Sequence, residues 1–268
     1  MRVRGGDIVL AAALLPFLAP VAWLLLTAYK PGRDVFSIPP SLLPTALTLD
    51  NFRTVAAVFD VPRLLLSSVV VSGGSTLLAL VLGAPAGYAL ARTRARWAVV
   101  VGSLFLGLRL VPAAATLIPF YLLMRDVGLL GSWLAVVLID AMQSTGFVVW
   151  MMAGTFRSVP REVEEAAALD GSGRLHTFLR IALPMAVSGL ITSALFCMLF
   201  SWNDFLYPAF LTTARTKTLS VALLSAYGTK DISWGTLGAL AHVAILPMVA
   251  AAVALNRYFV QGLTRGVT

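Results

Sequence analysis

Several ionisable and polar side chains interrupt the long apolar stretches of this sequence. They are Arg109, Asp140, Gln143, Asn203, Asp204 and His242. Such groups are costly in an apolar environment, so they usually face protein or a water-filled cavity. Asp140, Gln143, Asn203 and Asp204 are therefore candidates for a path that hydrogen-bonds a polar solute. The alternatives are internal pairing of Arg109 with Asp140, packing of His242 as a satisfied ring, and a role for Asn203 and Asp204 in shaping the helix end.

The densest charge in the chain lies in the segment 157–180. Its glutamates, Glu164 and Glu165 among them, stand near the start of an expected helix, where the helix dipole stabilises carboxylates. Three alanines follow, and Gly171 is placed to end this helix. A second helix is expected to begin near Arg174 and to run into the next apolar stretch. The pattern predicts two short helices lying on one face of a membrane, with a plain amphipathic connector as the alternative.

The composition shows what kind of protein must position these residues. Of 268 residues, 59% are hydrophobic and 12% charged, and the mean hydropathy is +0.89. Soluble domains carry about 25% charged residues, so a soluble enzyme and a disordered protein are excluded. A single cysteine, Cys197, excludes an intrachain disulfide. The net charge of +8 comes from basic residues that flank apolar runs, which indicates membrane topology and no nucleic-acid partner.

The apolar runs predict an all-α polytopic membrane protein with six transmembrane helices. A run of about 20 apolar residues is needed for each span, and continuous runs favour helices over a β-barrel. The expected spans are 8–28, 64–91, 97–124, 132–156, 181–206 and 235–258. Several prolines inside them, Pro112 among these, are expected to kink or break the helices. The first run is too long for a signal peptide and is expected to be retained. Arg92, Arg94 and Arg96 mark an inner loop, which places both termini in the cytoplasm.

The segment 157–184 resembles the EAA motif of the membrane subunits of binding-protein-dependent ABC importers. The family pattern is Glu-Ala-Ala, three residues, Gly, nine residues and Ile-x-Leu-Pro. This chain has Glu165-Ala166-Ala167, then Gly171, then Ile181-Ala182-Leu183-Pro184. Further stretches resemble the carbohydrate branch of this family, whose half-permeases are similar to the second permease subunit of maltose-type importers. These stretches include Gly87–Arg92, Trp202-Asn203-Asp204 and Gln261–Gly266.

The resemblance implies a type I importer permease (MetI-like) fold in the bacterial inner membrane, with residues 1–63 as first helix and outer loop and 64–268 as a five-helix core. It implies that the EAA loop couples the chain to a separate ATP-binding subunit dimer. The residues implied in coupling are Glu164, Glu165, Ala166, Ala167, Asp170, Gly171, Ile181, Leu183 and Pro184. The other implied partners are a second permease, which completes the pore, and an extracytoplasmic solute-binding protein, besides membrane lipid.

The resemblance assigns no catalysis to this chain, and the sequence agrees. The phosphate-binding pattern G-x-x-x-x-G-K-[ST] does not occur, so ATP and Mg²⁺ are expected on the partner ATPase, with no cofactor or metal here. An intramembrane enzyme has little support, because H-E-x-x-H and G-x-S-x-G are also absent. The remaining alternatives are an autonomous secondary transporter or channel that uses Asp140, and a permease for a non-sugar solute such as glycerol-phosphate or a polyol.

Overall fold

The computed structural model describes residues 5–35, 37–38, 41, 43–93, 97–108, 110–227 and 233–264. Throughout this part of the chain the regular structure is helical, without a strand. The α-helices, in chain order, are α1 Gly5–Thr27, α2 Gly32–Val35, α3 Asp50–Val58, α4 Val61–Arg92, α5 Trp97–Leu108, α6 Ala113–Asp126, α7 Trp133–Arg157, α8 Arg161–Leu169, α9 Arg174–Thr177, α10 Leu183–Met185, α11 Val187–Asn203, α12 Leu206–Leu211, α13 Leu219–Tyr227 and α14 Trp234–Thr264. A π-helix, Phe178–Ala182, lies between α9 and α10.

Three helices of the described chain are long and apolar enough to cross a membrane. They are α4, α7 and the part Trp234–Ala254 of α14. A fourth candidate is a bent pair, Arg174–Met185 with Val187–Asn203, whose halves meet at 79°. The part Ala13–Thr27 of α1 is apolar but shorter than these. The prediction of an all-α membrane protein is therefore confirmed.

The predicted third span, 97–124, consists of two helices, and its break at Pro112 agrees with the expectation that a proline kinks or breaks a span. The structure has α5 and α6 there, separated between Leu108 and Ala113. Pro112 stands before α6 with ψ of 129°, an extended conformation. Proline disfavours helical geometry in the residue before it, so the chain leaves the helix at this point.

The predicted fifth span, 181–206, is wrong as a continuous helix. A helix does begin at Arg174, as expected, but it passes through the π-helix and then bends at Ala186, where φ is −94° and ψ is 10°. Pro184 contributes to the break because it lacks an N–H to donate to the preceding turn. The bend separates the EAA segment (residues 157–184) from the apolar helix α11.

The chain forms two compact units, Met1–Leu64 with Val221–Pro247 and Leu65–Ser220 with Met248–Thr268. In the first unit, Asn51 donates from Nδ2 to the carbonyl oxygens of Ala28 and Lys30, at 2.9 and 3.0 Å. The carboxylate of Asp34 accepts hydrogen bonds from the backbone N–H and hydroxyl of Thr45. These bonds fix the loop that follows α1.

In the second unit, glycines let α4 and α7 pack at close range. Gly83 and Gly87 form the G-x-x-x-G pattern of closely packed membrane helices. A Cβ atom at Gly87 would lie 2.9 Å from both Met152 Cβ and the Val149 carbonyl oxygen. At Gly83 it would lie 2.7 Å from Val148 Cβ. The α4–α7 pair is therefore a rigid scaffold for the residues at its ends.

Replacing Gly87 with leucine is expected to lower the apparent Tm of the detergent-solubilised protein, since α4 and α7 would have to separate. Overpacking of this kind costs about 1–3 kcal/mol. Gly73 is the matched control, because it lies on the same helix and a Cβ there meets no atom within 4 Å. Equal Tm changes for Gly87→Leu and Gly73→Leu would contradict the close packing.

Candidate functional site

The EAA segment opens with the short helix α8, which ends at a glycine turn. Gly171 has φ of +84°, in the left-handed region that favours glycine. Its N–H donates to the Ala168 carbonyl at 3.1 Å, and the N–H of Ser172 donates to the Ala167 carbonyl at 2.9 Å. This pair of bonds is the Schellman motif. The prediction that Gly171 ends the helix is confirmed.

The residues of α8 divide between an inner and an outer face. Ala167 is buried and Glu164 is partly buried, three positions apart, so both lie on the inner side. Glu165, Ala166 and Asp170 are exposed. The two adjacent glutamates line one cleft of about 600 Å³ but differ in exposure, and the sequence pattern did not reveal this difference.

Glu164 binds the end of α4. Tyr88 donates its hydroxyl to Glu164 Oε2 at 2.7 Å. Arg92 donates from Nε to both carboxylate oxygens at 3.0 Å and from Nη2 to Oε1. The Arg92 guanidinium also donates to the carbonyl oxygens of Phe156, at 2.8 Å, and Val159, at 3.2 Å. We call Tyr88, Arg92 and Glu164 the inner triad.

This environment lowers the pKa of Glu164. Burial alone would raise the pKa, but the hydrogen bonds from Arg92 and Tyr88 and the charges of Arg92 and Arg161 outweigh burial. Glu164 is therefore ionised at neutral pH. Because the pKa of Glu164 is lower in the folded chain than in the unfolded chain, the ionised carboxylate stabilises the folded state at pH values above the ordinary glutamate pKa. This stabilisation is lost as the pH falls through the lowered pKa.

Aromatic packing attaches the second half of the EAA segment to the same place. The ring of Tyr88 contacts Phe156 of α7 and Phe178 of the π-helix, with centroids 5.2 and 5.1 Å apart. Ala182 is buried in the adjoining core, against which Leu183 packs. Of the remaining predicted positions, Ile181 is half-buried and Pro184 is exposed. The Ile-x-Leu-Pro end thus anchors the segment before the bend.

Apolar side chains remain uncovered on the outer side of the EAA segment. Leu169 is 90% exposed, Leu175 71% and Val163 40%. Exposed Glu165 and Asp170 lie on the same short segment. We call these five residues the EAA surface. Exposed apolar groups flanked by charged ones are typical of a protein interaction site.

A second, polar site lies in the same unit, in a cavity of about 150 Å³. It is lined by Ala113, Asp140, Gln143, Ser144, Phe200, Ser201, Asp204 and Tyr207. The structure thus brings together Asp140, Gln143 and Asp204, three of the predicted solute-path residues. The fourth, Asn203, does not line the cavity; it is exposed and donates to the carbonyl of Leu199 in its own helix at 2.8 Å.

The carboxyls in this cavity have few donors. Asp140 is buried and accepts a hydrogen bond from the Ser201 hydroxyl. Asp204 Oδ1 accepts from the Leu206 N–H at 3.1 Å, whereas Oδ2 is buried and receives no N–H or O–H from a described residue. Two carboxyls in one small cavity repel each other unless a proton or another donor lies between them. Arg109, the alternative partner of Asp140, lies outside the described residues.

An apolar cleft of about 580 Å³ adjoins the polar cavity, because Gln143 lines both. Its walls include Leu82, Phe105, Phe120 and Met142.

Ser144, Ser201 and Tyr207 also belong to the polar cavity, but sequence reasoning missed them, since nothing in their spacing distinguishes them from packing residues. Within the described chain, no three metal-ligating side chains form a group that could hold an ion.

His242 belongs to the other unit and to neither cavity. Its Nδ1 lies 2.8 Å from the Gly238 carbonyl oxygen in the same helix. The ring packs edge-on against Tyr29 and Phe52, with both centroids 5.4 Å away. This arrangement agrees with the interpretation of His242 as a packing residue.

Comparison with known proteins shows what this chain is similar to. Residues 79–265 match the family model described as "Binding-protein-dependent transport system inner membrane component". A probable ABC transporter permease protein, y4oR, of Sinorhizobium fredii is 31% identical, over 93% of this chain and 90% of that protein. The diacetylchitobiose uptake system permease protein DasC of Streptomyces coelicolor is 30% identical, over 92% and 90%.

A solved structure has the same fold. It is a bacterial ABC transporter involved in the import of the acidic polysaccharide alginate, and one of its chains superposes with a TM-score of 0.79 at 22% identity. The match covers 95% of each chain.

Proposed function

Because the chain belongs to the family of binding-protein-dependent transport system inner membrane components, we propose that it forms half of the translocation pore of an ATP-driven importer for sugars. The EAA segment carries this proposal. It combines an interior anchored to the pore helices with an exposed apolar and acidic surface. That combination suits a segment that receives force from another subunit.

The partner at the EAA surface is an ATP-binding subunit dimer, which holds ATP and Mg²⁺. Glu165, Leu169 and Asp170 are the contacts of this chain, with Gly171 setting the direction of the turn. Ala166 is exposed on α8 and small enough to allow close approach. The second permease completes the pore, and an extracytoplasmic binding protein delivers the solute to the opposite side.

The proposed topology has six spans and cytoplasmic termini. In this arrangement α1 is the first span and α5 with α6 together cross the membrane as the third. In the proposed topology the EAA segment lies on the inner face and α11 lies in the lipid, with the bend at Ala186 between them. Helix α4 ends at Arg92, and placing this end in the cytoplasm follows the rule that basic residues are in excess on that side.

A sugar is the proposed solute because the cavities combine polar and apolar walls. Sugars present hydroxyl groups, which donate well to carboxyl and amide oxygens, and C–H faces, which pack on aromatic and aliphatic groups. Asp140, Gln143 and Asp204 supply the first kind of wall and the apolar cleft supplies the second. The relative that is a permease protein of a diacetylchitobiose uptake system supports this solute class.

The partners can be tested by affinity purification from the native membrane in mild detergent, followed by mass spectrometry. We expect an ATP-binding subunit and a second permease to co-purify with this chain, accompanied by the binding protein whose bound solute identifies the sugar. Recovery of the chain alone in repeated preparations would contradict the proposal and favour an autonomous transporter that uses Asp140.

Replacing Leu169 with alanine is expected to weaken binding of the ATP-binding subunit about five- to tenfold. That loss corresponds to about 1–1.4 kcal/mol, as expected of the minority of interface residues that act as buried anchors. The measurement is the amount of ATP-binding subunit that co-purifies at increasing dilution. Leu47→Ala makes the same change at an 81% exposed leucine outside the EAA segment and serves as the control. An equal effect of both changes would contradict docking at Leu169.

A further inference from the structure

We propose that Tyr88, Arg92 and Glu164, the inner triad, are positioning residues that join the EAA helix α8 to the pore helices α4 and α7. In this role they transmit the movement of α8 and make no contact with the ATP-binding subunit. The inference rests on the proposed coupling function and concerns how force passes through this chain. It also changes the role expected of Glu164, which the sequence pattern grouped with the ATPase contacts.

Arg92 is the point at which three elements meet. Its guanidinium is on the last residue of α4 and binds the Glu164 carboxylate of α8. It also donates to the carbonyl oxygens of Phe156, in the last turn of α7, and Val159, in the link to α8. A displacement of α8 therefore pulls on the ends of both pore helices through one side chain.

Two further contacts reinforce the joint. Arg161, at the start of α8, donates from Nη2 to the carbonyl oxygens of Ala91 and Arg92, at 3.3 and 3.4 Å. Tyr88 binds Glu164 through its hydroxyl and packs its ring against Phe178 of the π-helix. Both halves of the EAA segment are thus attached to one turn of α4, and α4 is itself held against α7 at Gly83 and Gly87.

The triad is largely covered, although it borders a cleft of about 600 Å³ that Glu165 also lines. The side chains of Arg92 and Glu164 are only 17% and 12% exposed, whereas Glu165 and Leu169 on the same helix are exposed. The charge of Glu164 is already matched by Arg92, and both carboxylate oxygens have donors. A carboxylate with its donors in place offers little to a second subunit.

Arginine is required at position 92 for a geometric reason. The planar guanidinium donates to a carboxylate and to two carbonyl oxygens at once. A lysine keeps the charge but has a single nitrogen, which cannot hold three elements in the same arrangement. If only the positive charge at position 92 mattered, the Arg92→Lys variant would retain function. If the connection matters, Arg92→Lys is defective.

The experiment measures the movement of the pore and ATP hydrolysis separately, in the purified complete complex. Met142, which lines the apolar cleft and is 54% exposed, is replaced with cysteine. Its reaction rate with N-ethylmaleimide is measured without nucleotide and with ATP plus vanadate, which traps closed ATPase subunits. The native Cys197 is buried. ATP hydrolysis is followed by release of inorganic phosphate.

We expect Arg92→Lys and Glu164→Gln to retain the ATP-binding subunit and ATP hydrolysis, and to reduce the nucleotide-dependent change in labelling at least several-fold. The double variant Arg92→Lys/Glu164→Gln should be no worse than the poorer single variant, because residues that act as one unit are not additive. Arg157→Lys, at an exposed arginine at the end of α7, is the control and should behave like the parent protein.

A full labelling change in both triad variants would overturn the inference while leaving the proposed function intact. Loss of the ATP-binding subunit from the Glu164→Gln complex would also overturn it, since Glu164 would then be a docking contact. If Arg92→Lys fails to fold, Glu164→Gln still tests the inference, because glutamine keeps the side-chain shape and can accept a hydrogen bond. If no ATP-binding subunit accompanies the parent protein, the proposed function itself fails.

Discussion

Replacing Gly171 with valine is expected to reduce ATP-driven uptake about 10- to 100-fold, which corresponds to about 1–3 kcal/mol of strain. Gly171 has a φ of +84°, and a β-branched side chain is strained there whatever space surrounds it. Relief of the strain would open the Schellman turn and redirect α8 relative to α9. Uptake of the sugar carried by the co-purified binding protein is the measurement.

Gly173 provides a matched control for this change. It lies two residues further along and has a φ of −70°. A Cβ atom added at either glycine would meet no other atom within 4 Å. Gly173→Val therefore adds the same side chain to the same turn without the backbone strain. Comparable loss of uptake in both variants would show that bulk in this turn, and not the left-handed conformation, is what matters.

Replacing Asp140 with asparagine is expected to reduce uptake at low sugar concentration about 10- to 100-fold. Asparagine replaces one acceptor oxygen with an NH2 donor, and losing a solute hydrogen bond while leaving a buried donor unsatisfied costs about 1–3 kcal/mol. The effect should appear mainly as a higher half-saturating concentration, with assembly and basal ATP hydrolysis unchanged. Initial uptake rates over a range of sugar concentrations distinguish these effects.

Asn203→Ala is the companion variant. The sequence pattern placed Asn203 on the solute path, but the side chain bonds its own helix and does not line the polar cavity. Its replacement should change uptake little. A large effect of Asn203→Ala together with a small effect of Asp140→Asn would relocate the path away from this cavity.

The local structure of the EAA segment could be predicted well because its signals lie close together in the chain. The Glu-Ala-Ala pattern, Gly171 and the Ile-Ala-Leu-Pro end follow one another in the chain, and Gly171 does end its helix. The role of Glu164 could not be found in this way. Its partners, Tyr88 and Arg92, are more than 70 positions away, and only the packing of α4 against α7 brings them to α8.

The spans show a different limit. Hydropathy predicted single spans over 97–124 and 181–206, because the hydropathy of an apolar run does not indicate where its backbone turns. Pro112 was expected to kink or break its span, whereas no bend was expected at Pro184, and the structure breaks or bends near both. In the polar cavity, Asp140, Gln143 and Asp204 could be predicted because polar side chains are costly in lipid. Ser201 and Tyr207 could not be predicted, since they line the cavity only because α7, α11 and α12 meet there.

The most direct test of the central claim is sugar uptake into proteoliposomes that contain the complete complex, with and without ATP enclosed in the compartment of the ATP-binding subunits. The sugar is the one found on the co-purified binding protein. We predict uptake that requires ATP, the ATP-binding subunit and the binding protein together. Uptake that continues without the ATP-binding subunit would contradict the account and identify the chain as an autonomous transporter.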